Sequence, residues 1–163
     1  MISRLSFAFL VVALSASACG GGGSDDTGDD DTPTVDAGPA DASPACAEAL
    51  TYQDFTSIQE NIFKRQCAFM DCHDSGQPEA DMDLTGATAH GLLVNHETVQ
   101  DVADGWMRVV PGMPAQSYLM VALGEIDGPI DPDVGTMPQN SPLICQEKRD
   151  AIERWILAGA PND

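Results

Sequence analysis

Residues 20 to 45 read GGGGSDDTGDDDTPTVDAGPADASPA, and they set the limit on what this chain can fold. The stretch holds seven aspartates, no basic residue and, apart from Val35, nothing large and apolar. It cannot bury enough surface to offset the entropy lost on ordering, so a disordered tether is expected. A flexible chain of that length spans about 25–30 Å end to end and extends further by self-repulsion. The foldable part therefore shrinks to the 118 residues from Cys46 to Asp163, enough for one small core.

The segment before the tether points to a compartment. Arg4 is the sole charge ahead of LSFAFLVVAL, which runs into the small residues SASAC. A basic start, a short apolar middle and small residues at the cut are the three parts of a signal peptide. The run from Leu5 to Cys19 is 15 residues, short of the roughly 20 that a spanning helix requires. A cysteine at the cut resembles the lipobox of bacterial lipoproteins, although Ala16 stands where leucine is usual. That resemblance implies that Cys19 is acylated and becomes the mature N-terminus, with several acyl chains giving a stable anchor. Ordinary secretion with cleavage nearby is the alternative. The expected organisation is a lipoprotein signal peptide (1–18), an acidic tether (19–45) and a folded domain (46–163). The expected location is the bacterial cell envelope, at the periplasmic or outer-membrane surface.

The domain is acidic, with 19 acids against six bases from Cys46 onward, a formal charge of −13. Nucleic acid is an unsuitable partner for such a surface, because phosphates demand a basic face. The five cysteines divide by position. Cys19 goes to lipid, Cys67 and Cys72 form a motif, and Cys46 and Cys145 remain. An oxidising envelope makes an unpaired thiol unfavourable, so a Cys46–Cys145 bridge is expected.

Helical periodicity dominates the rest. TYQDFTSIQENIFKRQ, Thr51 to Gln66, repeats Phe55, Ile58, Ile62 and Phe63 on one face, with Thr51 and Asp54 read as a capping box. Lys64 and Arg65 complement the dipole of its last turn. ATAHGLLVNH suggests a short helix, and WMRVVPGM a brief extended piece. PAQSYLMVAL predicts a helix opened by Pro114 and stopped by Gly124. The closing SPLICQEKRDAIERWILAGAPND carries Ile152, Trp155 and Ile156 as an apolar stripe, with Gly159 and Pro161 ending it. Residues 74–86 and 125–140 are loops by their prolines, glycines and acids. The predicted class is all-α, three to four short helices joined by long loops, with no strand-rich region.

At the end of the first long helix stands CAFMDCH, residues 67–73. In the common CxxCH form, two thioether bonds hold a haem and the histidine ligates its iron. Here Cys67 and Cys72 would be the attachments and His73 the proximal ligand, with a spacer two residues longer than usual. Met137, in the loop GTMPQN, is the leading distal ligand, since a thioether sulfur favours reduced iron. Met113, His90 and His96 are rivals, each with an ordinary reading as filler or exposed polar residue. A haem would also give the long loops a centre to pack on. A zinc site at Cys67, Cys72 and His73 lacks a fourth ligand. Asp127, Asp131 and Asp133 match no calcium loop and read as a solvated acidic turn.

CAFMDCH, then RVVPGMPAQSYLM, MPQNSPL and AIERWILAGAP resemble, in that order, cytochrome c-like domains of bacterial envelope proteins. The resemblance spans about residues 52–161. It implies a cytochrome c-like fold with haem c held by Cys67 and Cys72, iron ligated by His73 and Met137, and Trp155 packed beside the haem. The implied function is electron transfer with a redox partner protein rather than catalysis, or a peroxidase-like reaction if Met137 leaves the sixth position open. The four-residue spacer departs from the family's pattern. The rival reading is a haem-free, disulfide-stabilised lipoprotein, with Cys67–Cys72 as a second bridge, acting as a binding or surface-structural module.

Overall fold

A computed structural model of the protein describes residues 43–69, 72–99 and 103–163, all within one unit, Asp36–Asp163. The signal peptide, Cys19 and the tether through residue 42 lie outside the described residues. Among the described residues, no helix is long and apolar enough to cross a membrane.

Ser43 caps α1 (Pro44–Ala47), its hydroxyl accepting from the Cys46 N–H at 3.3 Å. A 3-10 turn, Glu48–Thr51, follows. Thr51 donates its hydroxyl back to the Glu48 carbonyl, so it closes this turn and does not cap the next helix. That cap is Asp54. Its carboxylate accepts from the Ser57 N–H at 2.7 Å and the Ser57 hydroxyl at 2.8 Å, bonds that hold the Asp54 carboxyl below the usual carboxylate range. Helix α2 (Phe55–Ile58) begins there.

The expected α-helix through Gln66 changes character after Ile58. Gln59–Cys67 is a π-helix, and the last of its turns is closed by the Ala68 N–H on the Phe63 carbonyl at 2.9 Å. Five-residue spacing pairs Ile58 with Phe63 and Ile62 with Cys67 on inward faces. It keeps Arg65 exposed while Cys67 packs against the core. An α-helical period continued from Ile58 would have turned Arg65 inward.

The remaining α-helices are α3 (Ala89–Leu93), α4 (Tyr118–Ala122) and α5 (Gln146–Leu157). The described residues thus form a small all-α domain of five short helices plus π and 3-10 segments. They contain no β-strand, and only isolated bridges such as Val94 with Val109 mark the extended piece. Pro114 opens a 3-10 turn, Pro114–Gln116, rather than the helix itself. Fully buried Ser117 separates the two, accepting from the Val110 N–H at 2.9 Å and donating to the Met113 carbonyl at 3.0 Å. Gly124, at φ +71°, ends α4 in a conformation that other residues rarely adopt.

The core forms where α5 meets α2 and the π-helix. Ala151, Ile152, Trp155 and Ile156 are completely enclosed, so the predicted stripe is the buried face. The Phe55 ring lies 5.3 Å from Trp155 and 6.2 Å from Phe63, centroid to centroid. Trp155 satisfies its indole N–H on the Pro161 carbonyl at 2.9 Å. A disulfide joins Cys46 to Cys145 across 99 positions, tying α1 to the start of α5. Arg154 adds a bond to the Ala49 carbonyl at 2.9 Å, and Asp163 accepts from the Phe55 N–H at 2.9 Å.

Candidate functional site

Beside the core, and sharing Phe63 with it, lies a partly open cavity of about 420 Å³. Phe63 at the π-helix, Leu93 at α3 and Leu119 and Leu123 on α4 supply apolar wall, with Met82 and Leu84 from the loop after the motif. The loop carrying Val134, Met137 and Pro138 forms another part of the wall. It is held against α4 by the Met137 N–H on the Ala122 carbonyl at 2.7 Å. Gly128 makes that approach possible: a Cβ there would meet Val121 Cγ2 at 2.6 Å. A volume in this range suits a small organic ligand.

Cys67, Cys72, His73 and Met137 all border this cavity. His73 is buried, and its Nδ1 lies 3.0 Å from the Glu79 carbonyl. A carbonyl only accepts, so Nδ1 carries the proton in this bond. Burial is the chief reason that the imidazole pKa is lowered, and the bond to Glu79 works against it. The ring is therefore neutral at pH 7. Its backbone is pinned on both sides, by its N–H to the Cys67 carbonyl at 3.1 Å and by the Leu84 N–H to its own carbonyl at 2.9 Å.

The two thiols of the motif occupy different surroundings. Cys67 packs against the core, and burial, reinforced by Cys72, pushes its thiol up to about 12. It is a protonated thiol at neutral pH and a poor nucleophile. Cys72 is exposed, as is Phe69 within the spacer. Neither cysteine is disulfide-bonded, so the second bridge considered from the sequence is not formed.

Arg108 completes the polar lining. Sequence reasoning passed over it, although a lone base inside the apolar run WMRVVPG was a visible signal. It is 5 % exposed, and its guanidinium donates to the Leu92 and Ala80 carbonyls, each at 2.8 Å. Burial lowers its pKa, with Asp81 acting in the opposite sense. No carboxylate lies within ion-pair distance of it among the described residues. Tyr118 also lines the cavity, its phenol pushed up first by burial and then by Asp131.

The rival residues lie elsewhere. His90 belongs to the aromatic core: Nε2 is 2.8 Å from the Ala160 carbonyl and the ring stands edge-on to Phe55 at 5.1 Å. His96 and Met113 are exposed and do not line the cavity. Asp131 spends its carboxylate on the Asp133 N–H at 2.8 Å in an exposed turn.

Among the described residues, the one cluster of His, Cys or acidic ligand atoms close enough to chelate is Cys46, Cys145 and Glu147. Both sulfurs there are consumed in the disulfide, which removes the thiolates that a metal would need. Cys67, Cys72 and His73 do not form such a cluster, so the zinc alternative has no preformed site.

No protein family, curated protein or solved structure matches the chain. The likeness to cytochrome c-like domains is therefore not supported, and the motif itself is Cys-x4-Cys-His, not Cys-x2-Cys-His. Cys72 is exposed and Cys67 half-buried, so the two thiols are presented unequally. The bonded sulfurs are Cys46 and Cys145. The assignments of haem c to Cys67 and Cys72, of iron to His73 and Met137, and of electron transfer or peroxidase-like chemistry to the domain are corrected accordingly. What the geometry supports is a small disulfide-bonded helical domain with an apolar cavity.

Proposed function

We propose that the domain is a disulfide-stabilised binding module that holds a small apolar ligand, displayed from the bacterial envelope on a lipid-anchored tether. One observation carries the reading: a domain of this size keeps an apolar-walled space of about 420 Å³ beside a tightly packed core. Filling that space with side chains would have been the cheaper route to stability, since unfilled volume forfeits dispersion contacts. Retaining it is the mark of a site. Anchoring rests on the SASAC sequence and Cys19, and palmitate labelling that disappears in Cys19→Ser tests it.

The binding reading is tested by titrating the full chain with an uncharged apolar dye such as Nile red. One saturable site is expected. Ala122 lines the cavity from α4 and is half-buried, so Ala122→Trp occupies the space without displacing the core. Dye binding should fall at least tenfold in this variant, about 1.4 kcal/mol, with the far-UV spectrum unchanged. Equal binding by both proteins would sink the proposal.

A further inference from the structure

Arg108 is a buried cation in an acidic domain, yet it lacks a direct counter-ion among the described residues. Its two backbone bonds, to Leu92 on α3 and to Ala80 in the loop after the motif, fix the plane of the guanidinium at the cavity wall. Asp81 acts on it through space without closing an ion pair, so the buried charge is only partly compensated, and an anion entering beside it would relieve that cost. The planar fork of arginine suits a carboxylate. Around it the lining is hydrocarbon and thioether: Leu93, Leu119, Leu123, Met82 and Met137.

We infer that the cavity takes an amphiphile with a single anionic head, an apolar carboxylic acid whose carboxylate pairs with Arg108 while its hydrocarbon body fills the apolar space. This rests on the binding reading above and adds the chemical class of the ligand. A dianionic head such as a phosphate monoester fits less well. Among the described residues, only one lysine or arginine lines the cavity, against Glu79 also in its lining and a domain charge of −13.

The test compares decanoate with decanol, two probes that share one hydrocarbon chain and differ in the head, by titration calorimetry on the full chain at pH 7. Decanoate should bind about tenfold more tightly than decanol, the scale of one charge-assisted pair. In Arg108→Met the affinities for decanoate and decanol, measured on the same variant, should become equal, whereas Arg108→Lys should recover part of the difference. Equal affinity of the native protein for the two probes overturns the anionic-head inference and leaves the apolar site standing. Failure of both to bind overturns the site as well. Should Arg108→Met fail to fold for want of its backbone bonds, the acid-against-alcohol comparison on the native protein and Arg108→Lys still decides.

Discussion

The two sides of this domain are built on different terms. On one, α5, α2 and the π-helix interlock through Trp155, Phe55 and Phe63, with a disulfide closing 99 positions of chain around them. On the other, short helices and loops enclose a space and leave polar groups, His73 and Arg108, at its edge. On the first side the Trp155 indole N–H and the Arg154 guanidinium find backbone carbonyls, whereas one Glu147 carboxylate oxygen is buried without a partner. The second keeps its shape through bonds from loop to helix, such as the Met137 N–H to the Ala122 carbonyl and the Gln59 side-chain amide to the Leu84 and Gly86 carbonyls. The contrast teaches that the site is built on the core's own margin: Phe63, Leu84, Leu93 and Leu123 belong to the buried core and also line the cavity.

Substitutions on the packed side should break the whole. Trp155→Ala removes a fully buried indole and its bond to Pro161, and about 3–5 kcal/mol of stability should go with it, read by urea unfolding. Most of a small domain's margin is of that size. Reducing the disulfide, or replacing both Cys46 and Cys145 by serine, should cost about 2–5 kcal/mol, seen as a lower urea midpoint. A midpoint unchanged by reduction would show that the closed loop is not what holds the packed side together.

On the cavity side the expected effects are smaller. Gly128→Ala sets a methyl against buried Val121, a stiff β-branched neighbour. A loss of about 1–3 kcal/mol is expected, together with weaker dye binding because the wall loop is pushed off α4. Loss of stability without any change in binding would separate that loop from the site. The smallest effect is in pH. The folded state lowers the His73 pKa from its ordinary 6.5, so below that value the unfolded chain takes up a proton that the folded one resists. Stability should therefore fall as pH drops from 6.5 toward the folded pKa, and His73→Gln should flatten that slope. A slope that steepens or stays the same in the variant would place the titration elsewhere.

The packed side was legible in the sequence because its signal is periodic. Ile152, Trp155 and Ile156 repeat at helical spacing and are buried as that spacing implies. Local competition misplaced one boundary: Thr51 and Asp54 both suit a cap, and Thr51 is taken by the turn before it. The π-helix was not readable, because a five-residue repeat over nine residues looks like an imperfect α-helical one. For the site, the sequence named Cys67, Cys72, His73 and Met137, and these do border one cavity. Their chemistry was misread. A motif states which residues recur, whereas the half-burial of Cys67 and the exposure of Cys72 depend on how the π-helix ends. Arg108 was missed for a related reason: its role arises only once two distant carbonyls, Leu92 and Ala80, converge on it.

The most direct test of the cavity as a binding site is methyl NMR on the full chain labelled at methionine, with decanol added stepwise. Met82 and Met137 line the cavity and Met113 is exposed outside it. Saturable shifts at Met82 and Met137, with Met113 unmoved, are the predicted result. Shifts confined to Met113, or none at any of the three, would contradict the account.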